Sequence, residues 1–355
     1  MPFIADMRDV EVIAPNFKRR LSGVTSTIIQ LVPIQNRLGQ KVSTLGPGLP
    51  ADLPAMRWRD LPALWKAPSG KPLRVWHARR NLEMLPGLLM RDLLRMKLKL
   101  VFTSASQRQH SGWTRFLVSK MDAVIATSRK TASYLSVPNT VVMHGIDIAR
   151  FSPPADKGAA KAACGLDAAQ KFVGCFGRIR HQKGTDLFVD AMIALLPSRP
   201  GWSAIVAGRT TPQHAAFEAE LKRKVEGAGL ANRILFVGEH TNINDWYRAL
   251  DLFIAPQRWE GFGLTPLEAM ASGVPVVATD VGAFSEQIVQ EAAETGMLVT
   301  IDDLQAMTAA AAALLDDDGR RETAGERGRS HVAANFAIEN EARKLGEVYA
   351  SVVSG

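Results

Sequence analysis

Two basic residues follow an apolar segment in the second half of the chain and could bind an anion. The apolar run at 171–179 predicts a buried strand; Arg178 lies at its end, and Lys183 stands just before a predicted helix. In open α/β sheets, ligands bind beyond the carboxyl ends of the strands, and a helix start offers free backbone N–H groups. Two point charges beside such groups suit a diphosphate, although a solvated basic loop would give the same pattern.

A second segment, from Glu260 to Glu268, combines two carboxylates with glycine. Gly261 and Gly263, on either side of Phe262, would let the backbone approach a ligand closely, and a helix is predicted to begin near the end of the segment. There, Glu268 could accept hydrogen bonds from two sugar hydroxyls, while Glu260 on the loop could hold another part of the ligand. The alternative is a capped helix with solvated carboxylates, which would not need the two glycines.

The elements that must position these residues alternate between short apolar runs and helical patterns. Such alternation is typical of the α/β class, with a parallel sheet covered by helices on both faces. Pro33 argues against a continuous first helix. We expect domains at 1–153 and 154–336, a linker over Ser152–Ala163, and a final helix within 337–355. The predicted strands are 10–15, 40–46, 73–78, 99–105, 122–128, 140–145, 171–179, 202–208, 233–238, 251–256 and 274–280.

Charge is distributed unevenly along the 355 residues, a length that suits two domains. Residues 1–150 contain 23 Lys and Arg against 9 Asp and Glu, a net charge of +14, whereas residues 151–355 contain 20 against 26, a net charge of −6. A domain this basic attracts nucleic acid, an anionic membrane face or an acidic substrate, unless the charge only serves solubility. No apolar run reaches the roughly 18 residues of a membrane span, and the acidic N-terminus does not fit a signal peptide, so we expect a cytoplasmic protein.

The spacing of Glu260 and Glu268, with Gly-Phe-Gly between them, resembles the retaining glycosyltransferases of family 4. Further segments match the family's pattern in the right order. They are Gly177-Arg178 with Lys183-Gly184, Val281-Gly282 with Glu286, and His144-Gly145-Ile146-Asp147 with Phe151 and Pro153, where Ala283 and His144 replace a glycine and an asparagine. The resemblance implies the GT-B fold: two Rossmann-like, doubly wound α/β domains facing a central cleft, with the C-terminal helix returning to the N-terminal domain.

The resemblance also assigns roles by position in a nucleotide-sugar donor site. Arg178 and Lys183 would hold the donor diphosphate and stabilise the charge of the leaving group. Glu268 would bind the ribose hydroxyls, Glu260 would contact the transferred sugar, and the base would lie near 238–241. The backbone amides expected to line the phosphate and sugar site are those of Phe262, Gly263 and Leu264.

Catalysis is expected to need no metal or other cofactor. No Asp-x-Asp motif stands at a predicted strand end, and the acidic run Asp316-Asp317-Asp318 follows an alanine-rich helix and precedes Gly319, which favours a solvated helix end. Leaving-group charge would then be stabilised by cations and helix-end amides. Retention without an obvious enzymic nucleophile suggests attack on the same face as departure, as the family resemblance implies.

The candidate residues of the first half are less specific. Ser22-Gly23-Val24-Thr25 resembles the family's glycine-rich first loop, so Gly23 would lie near the donor phosphates. Many relatives carry a histidine in the cleft; His77 or His110 could take that place, although a lone histidine is more often structural. The candidate acceptor-binding residues are Lys18, Arg19, Arg79, Arg80, Gln107 and Arg108, of which the first two could equally lie on a solvated loop.

The whole chain, especially 22–31 and 101–110, resembles bacterial lipopolysaccharide core mannosyltransferases. This implies transfer of mannose from GDP-mannose to the inner-core Kdo of a lipid A precursor. The basic first half fits such an anionic glycolipid acceptor and a peripheral position on the inner-leaflet surface of the cytoplasmic membrane, with no nucleic acid as partner. The basic segment 91–97 could lie on that surface or be an ordinary surface helix.

Other functions stay open at this point. The same fold could use a UDP-sugar and another lipid-linked or cell-envelope acceptor, or the protein could be a sugar-nucleotide epimerase. A non-catalytic membrane-binding module is a further alternative, against which the presence of Arg178, Lys183, Glu260 and Glu268 argues. A dehydrogenase is disfavoured because no Gly-x-Gly-x-x-Gly follows the first predicted strand. The oligomeric state does not follow from the sequence.

Overall fold

The computed structural model describes residues 4–19 and 23–354. The chain divides into two compact units, residues 1–145 with 338–355 and residues 146–337. In the described part of the chain each unit contains a six-stranded sheet whose paired strands are all parallel. The predicted α/β class is therefore confirmed. The division falls before the expected boundary at 153, because the ring of Phe151 packs against Tyr247 of the second unit, with centroids 5.8 Å apart.

Strands and helices alternate along both units. The strands are β1 Val12–Pro15, β2 Val42–Leu45, β3 Arg74–Ala78, β4 Leu98–Ser104, β5 Ala123–Ala126, β6 Thr140–Val141, β7 Lys171–Phe176, β8 Trp202–Ala207, β9 Ile234–Gly238, β10 Leu252–Ala255, β11 Val276–Thr279 and β12 Gly296–Val299. The helices are α1 Gly23–Arg37, α2 Asn81–Leu88, α3 Gly112–Val118, α4 Arg129–Ala132, α5 Lys157–Ala163, α6 Thr185–Leu195, α7 Ala215–Gly227, α8 Ile243–Ala249, α9 Thr265–Ala271, α10 Phe284–Gln287, α11 Leu304–Leu315, α12 Asp318–Asn335 and α13 Ile338–Ser354.

The first sheet has the strand order β2-β1-β3-β4-β5-β6 and is covered on both faces. Ile13, Trp76 and Phe102 are buried in the core on one face, and Ile28 and Val101 are buried in the core on the other. Because successive residues of a strand point to opposite faces, strands that supply both cores are apolar throughout. This explains why these strands were recognisable as continuous apolar runs.

The first helix is continuous, contrary to the doubt that Pro33 raised. Helix α1 runs through Pro33 to Arg37. The proline is exposed, whereas its neighbours Val32 and Ile34 are buried. The carbonyl group that loses its hydrogen bond to a proline can therefore be solvated on the outer face of the helix, so the helix tolerates the interruption.

The second sheet has the strand order β12-β11-β10-β7-β8-β9. The five strands predicted in this unit are all present, whereas β12 at the sheet edge was missed. Its two central residues, Met297 and Leu298, are only half-buried, so the segment lacks the pattern of a central strand. The predicted linker over Ser152–Ala163 lies inside this unit, and its second half forms helix α5.

The last helix belongs to the first unit although it follows the second unit in the sequence. Leu345 and Tyr349 of α13 are buried in the core of the first unit. The carboxylate of Glu341 accepts a hydrogen bond from the backbone N–H of Gly145 at 2.7 Å and lies 2.8 Å from Nδ1 of His144. The expected return of the C-terminal helix is therefore confirmed. None of the helices in the described ranges is both long and apolar enough to cross a bilayer.

Candidate active site

The loop after β7 carries cations at the carboxyl edge of the second sheet. Arg178 is exposed there, and a 3-10 turn, His181–Lys183, brings Lys183 to the start of α6. Gly184 joins the turn to the helix with a φ of +69°, and a Cβ at this position would lie 1.8 Å from the carbonyl oxygen of Pro256. Because only glycine fits there, the turn packs directly against the end of β10.

This packing places Lys183 beside Glu260 on the loop after β10. Nζ of Lys183 donates a hydrogen bond to Oε2 of Glu260, and the backbone N–H of Gly261 donates to Oε1 at 3.0 Å. Gly263 has a φ of +79°, and a Cβ on it would lie 2.3 Å from the ring of Phe284. The structure thus brings together the two segments that the sequence singled out.

A third cation, Arg180, belongs to the same cluster and was missed as a site residue. Its Nε atom is buried and has no hydrogen-bond partner within the described residues. Desolvation, followed by the nearby charge of Arg178, lowers the pKa of Arg180, and the charge of Glu260 partly offsets this. A guanidinium with an unused buried donor beside two other cations is suited to an anionic ligand.

The three backbone amides predicted to line the site lie on the loop that leads into α9. Nε2 of Gln287 donates hydrogen bonds to the carbonyl oxygens of Phe262 and Gly263 at 3.2 and 3.0 Å. These bonds hold the loop from its carbonyl side as far as Leu264, the residue before α9. That the amides contact a ligand stays a prediction.

Glu268 lies in the first turns of α9 and is oriented by a buried tyrosine. The hydroxyl of Tyr247 donates a hydrogen bond to Oε2 of Glu268 at 2.9 Å, and the tyrosine ring is held by edge contacts with Phe151 and Phe176. Desolvation raises the pKa of Glu268, and the Tyr247 bond and the charge of Arg150 partly offset this. Tyr247 and Arg150 were missed because neither stands in the glutamate motif.

The segment predicted to hold the base, 238–241, follows β9 as expected. The ring of His240 lies 4.4 Å from that of Trp246, measured between centroids. Nη2 of Arg150 donates to the carbonyl oxygen of Thr241 at 3.4 Å, which connects the segment to the cation beside Glu268. Contact between this segment and a base stays a prediction.

In the first unit, Asn16 ties two loops together at the carboxyl edge of the sheet. Asn16 is fully buried, and its Nδ2 donates to the carbonyl oxygens of Lys18 and Pro47 at 3.0 and 2.8 Å. Arg80 donates to Oδ1 of Asn16 at 2.9 Å and pairs with buried Glu83 at 2.7 Å. Only 11% of the Arg80 side chain is exposed, so Arg80 supports this network, and its contact with an acceptor stays a prediction.

The residues around this network include two more predicted site positions. The backbone N–H of Arg79 donates to Glu83 at 2.8 Å, and its guanidinium donates to the carbonyl oxygen of His77 at 3.3 Å. Gly23 begins α1, whereas Ser22 lies outside the described residues. Whether this loop contacts donor phosphates therefore stays a prediction.

A cavity of about 460 Å³ opens beside these loops. The ring of Trp58 lies 5.3 Å from that of Phe17, and 56% of Trp58 is exposed. An aromatic face in a cavity that Arg19 also lines can hold a sugar ring together with an acidic group. Arg19 was predicted, with its exposed neighbour Lys18. Trp58 was missed because it begins a 3-10 helix, Trp58–Trp65, that lies between β2 and β3 and outside the alternating pattern of strands and helices. The lining residues are Phe17, Arg19, Gly46, Pro47 and Trp58.

His77, one of the two candidate catalytic histidines, is buried in the first unit with 1% of its surface exposed. Its Nδ1 lies 2.7 Å from the hydroxyl of Tyr349 on α13, and its Nε2 lies 2.6 Å from Oγ1 of Thr103 on β4. Burial, followed by the charge of Arg79, holds the pKa of His77 well below its usual value. This placement gives His77 a structural role, and its catalytic assignment has no support from the geometry.

The loop after β4 carries the remaining candidates of the first unit. His110 is half-buried, with Nε2 3.4 Å from Oγ of Ser104. Desolvation and then the charge of Arg108 lower the pKa of His110. Gln107 is half-buried and Arg108 is exposed. Of the two predicted histidines, His110 is therefore the one at the carboxyl edge of the sheet with access to solvent.

The acidic run after α11 forms a helix end, as expected. The side chain of Asp317 caps α12 by accepting from the backbone N–H of Arg320 at 2.8 Å. Asp316 pairs with Arg199 at 2.6 Å, and Asp318 pairs with Lys171 at 2.6 Å. These carboxylates thus serve capping and surface ion pairs.

Known proteins match the chain over the second unit and over its full length. The family model for glycosyl transferases group 1 matches residues 170–317. The lipopolysaccharide core biosynthesis mannosyltransferase LpsB of Rhizobium meliloti (strain 1021) is 69% identical over 350 residues, which cover 99% of this chain and 100% of that protein. The lipopolysaccharide core biosynthesis mannosyltransferase LpcC of Rhizobium leguminosarum bv. viciae is 57% identical, over 98% of both chains.

A solved structure supports the same fold. The crystal structure of Anabaena Alr3699/HepE in complex with UDP superimposes with a TM-score of 0.83 at 18% identity, over 96% of this chain and 100% of that chain. At this identity the likeness shows the fold alone, which is that of the GT-B glycosyltransferases. With the full-length relatives, it shows that the chain is a glycosyltransferase of group 1 and belongs to the lipopolysaccharide core biosynthesis mannosyltransferases.

Proposed function

We propose that the protein transfers mannose, with retention of configuration, from GDP-mannose to the inner-core Kdo of a lipid A precursor. Both full-length relatives are named as lipopolysaccharide core mannosyltransferases, which supports the transferred sugar and the class of acceptor. The resemblance to that group supports GDP as the leaving group. The observation that carries the proposal is the cluster of Arg178, Arg180 and Lys183 beside Glu260 in the second unit.

In the proposed reaction, the cations stabilise the diphosphate as it leaves. The bond between C1 of mannose and the phosphate oxygen breaks, and the acceptor oxygen bonds to C1 on the same face. The departing phosphate takes the proton of the acceptor hydroxyl, so atoms and charge balance without an enzymic nucleophile. Arg178 and Lys183 supply the charge that a divalent metal provides in other transferases, so the reaction proceeds without a metal. Glu260, held by Lys183, contacts the mannose.

Glu268 binds the ribose of the donor in this proposal. Its Oε2 atom is held by Tyr247 at 2.9 Å, which turns the carboxylate into one orientation. A carboxylate with a fixed orientation accepts hydrogen bonds from two adjacent hydroxyls at a lower entropic cost than a mobile one. The binding energy from the ribose thereby helps to place the diphosphate against the cations.

The acceptor sugar occupies the cavity of the first unit. Kdo carries a carboxylate, for which Arg19 is the cation in the cavity lining, while Phe17 and Trp58 provide an apolar face for the sugar ring. The excess of basic residues in this half of the chain suits a lipid acceptor with further negative charges. Since that acceptor is part of a membrane, the enzyme works as a peripheral protein at the inner face of the cytoplasmic membrane.

Transfer assays with purified protein test the donor and the acceptor separately. We expect GDP-mannose and Kdo-containing lipid A precursor to give a mannosylated product with an α anomeric configuration in its NMR spectrum, unchanged by EDTA. We also expect GDP and GDP-mannose, and not UDP or ADP compounds, to raise the melting temperature. Stabilisation by UDP compounds alone would contradict the donor, a β-linked product would contradict retention, and loss of activity in EDTA would contradict metal independence.

A further inference from the structure

An apolar stripe lies on the outer side of the helix that follows β3. Helix α2 continues into a π-helical turn, Leu89–Leu93, so residues 81–93 form one helical segment. Its solvent side carries leucines spaced three or four residues apart, as one face of a helix requires. Their exposed fractions are 58% for Leu82, 39% for Leu85, 49% for Leu89 and 72% for Leu93. A surface helix normally shows polar residues on this side, so the stripe needs an explanation.

The neighbouring helix adds aromatic side chains to the same surface region. Trp113 and Phe116 of α3 are 52% and 50% exposed, and their rings stack with centroids 5.7 Å apart. Nδ2 of Asn81 donates to Oγ1 of Thr114 at 2.8 Å, which fixes the start of α2 to α3. The two helices thus present exposed leucine, tryptophan and phenylalanine side by side; we call this the apolar face, formed by Leu82, Leu85, Leu89, Leu93, Trp113 and Phe116.

Basic residues are frequent in the part of the chain that carries the apolar face. Residues 81–120 contain seven Lys and Arg against two Asp and Glu. Both acids are already paired, Glu83 with Arg80 at 2.7 Å and Asp92 with Arg91 at 2.6 Å. Nζ of Lys120 lies 5.7 Å from the ring centroid of Phe116. A surface that exposes apolar groups within positive charge is complementary to a bilayer of anionic lipids, where acyl chains lie beneath negative headgroups.

We propose that this apolar face is a membrane-docking surface, which inserts its leucine and aromatic side chains into the headgroup region of an anionic bilayer. A second copy of the chain fits less well, because two such faces would bring like-charged residues such as Lys120 of both copies together. The basic segment 91–97 contributes less than the sequence suggested, since Arg91 is bound to Asp92 and Asp122 within the protein. Insertion therefore depends mainly on apolar burial, and charge assists the approach.

This inference deepens the proposed function and rests on it for the identity of the lipid acceptor. Helix α2 begins just after the carboxyl end of β3, and α3 follows the loop at the carboxyl end of β4. The docking helices therefore start at the same edge of the first sheet as the cavity of Phe17, Arg19 and Trp58. The stripe runs from this edge along the side of the first unit to the start of β4. Docking through it therefore holds the first unit, with its cavity, against the membrane in which a lipid-linked sugar is anchored.

Vesicle sedimentation tests the surface without any requirement for catalysis. The probe is the full chain with vesicles of phosphatidylethanolamine and phosphatidylglycerol, compared with vesicles of phosphatidylcholine. The variant Leu85→Gln/Leu89→Gln/Leu93→Gln should bind anionic vesicles at least about tenfold more weakly than the wild type, because three apolar side chains no longer insert. The matched control Leu38→Gln changes a leucine of the same unit that is 44% exposed outside the face, and its binding should stay within about twofold of the wild type.

A fluorescence measurement distinguishes insertion from surface attraction. Insertion predicts that anionic vesicles shift the emission of Trp113 to shorter wavelength, measured as the difference between wild type and Trp113→Phe. Added salt should weaken binding of the wild type without abolishing it, and should abolish binding of the triple variant. Equal binding of the triple variant and wild type, or no binding of the wild type, would overturn the proposal. Leucine-dependent self-association without vesicle binding would also overturn it, in favour of a protein contact.

The outcome can be separated from that of the proposed function. The triple variant should keep wild-type turnover on a deacylated, water-soluble acceptor and lose turnover on acceptor embedded in vesicles. If vesicle binding depends on the leucines but no mannose is transferred to either acceptor, the docking surface stands and the proposed function fails. If wild type and triple variant transfer mannose equally well to acceptor embedded in vesicles, the proposed function stands and the docking surface is wrong.

Discussion

In the second unit each carboxylate of the candidate site is held by a side-chain donor, Glu260 by Lys183 and Glu268 by the hydroxyl of Tyr247. In the first unit the cavity at the corresponding edge of the sheet is lined by Phe17, Trp58 and exposed Arg19. Both units use the same architecture of a parallel sheet covered by helices. Under the proposed function the difference follows from what each unit would bind: a diphosphate requires fixed cations on short turns that contain glycine, whereas a sugar ring can be held by aromatic side chains.

The largest expected effect comes from the cation that joins the two motifs of the second unit. Lys183→Ala should lower kcat/KM by about 10²–10³-fold, because it removes a charge that faces the developing negative charge of the leaving group. Initial rates with GDP-mannose and a soluble acceptor measure this. Lys222→Ala, which removes an exposed lysine from α7 of the same unit, is the matched control. Near-normal turnover of correctly folded Lys183→Ala would contradict the assignment of the donor site.

The next effect concerns the aromatic wall of the first unit. Trp58→Ala should raise the KM for the acceptor by about tenfold and leave the KM for the donor unchanged, because it removes one face of the cavity. Trp58→Phe should restore part of the loss. Trp65→Ala, from the same 3-10 helix but outside the cavity lining, is the control. Equal changes in both KM values would mean that Trp58 supports the fold and does not contact the acceptor.

A smaller effect is expected from the tyrosine that orients Glu268. Tyr247→Phe should raise the KM for the donor by about three- to tenfold with little change in kcat, because the carboxylate loses one oriented hydrogen bond. Tyr134→Phe in the first unit is the control. A fall in kcat at unchanged KM would show that Tyr247 serves the chemical step and not the binding of ribose.

The same variant makes a prediction about pH. Burial raises the pKa of Glu268, and the bond from Tyr247 counteracts that rise. Removing the hydroxyl therefore raises the pKa of Glu268 further, so donor binding by the ionised carboxylate should begin to fall at a higher pH in Tyr247→Phe than in the wild type. Donor affinity measured across the acidic range tests this, and coincident profiles would contradict it.

The sequence was most informative about the candidate site where charged residues stand close to glycines, because both the residue types and the backbone conformation are then visible in the sequence. Strands buried on both faces were found as apolar runs. Lys183 and Glu260 were found because glycines that the fold requires stand near them: a Cβ on Gly184 would lie 1.8 Å from the carbonyl oxygen of Pro256, and a Cβ on Gly263 would lie 2.3 Å from the ring of Phe284. Tyr247 and Trp58 were not found, because their partners, Glu268 and Phe17, are distant in the sequence and are brought close only by folding. An aromatic residue in a short helix, as Tyr247 is in α8, has the same local sequence pattern whether or not it lines a site.

The two candidate histidines of the first unit show another property that the sequence could not predict, namely which of them is buried. His77 and His110 both follow apolar strand residues and contact the carboxyl end of the sheet, so sequence alone could not separate them. The separation comes from Tyr349, which approaches His77 from α13 near the end of the chain. A residue contributed from so far away leaves no sign near His77, and burial by α13 is what removes this histidine from the solvent-accessible edge.

The last expected effect separates the two histidines and concerns stability, with no change expected in the kinetics of donor binding. Because burial holds the pKa of His77 well below 6.5, the unfolded chain binds the proton first as pH falls. The free energy of unfolding should therefore decrease below about pH 6.5, by at most about 1.4 kcal/mol per pH unit from this group.

His77→Gln should be less stable than the wild type at neutral pH by about 1–3 kcal/mol through lost hydrogen bonds, yet its stability should fall less steeply below pH 6.5. Calorimetric unfolding of the wild type, of His77→Gln and of the control His214→Gln across this pH range makes the comparison. The stability of His77→Gln should still fall somewhat as pH falls, because burial also lowers the pKa values of His110 and His331. Parallel slopes in the wild type and His77→Gln would mean that His77 is not the buried neutral group that the contacts with Tyr349 and Thr103 describe.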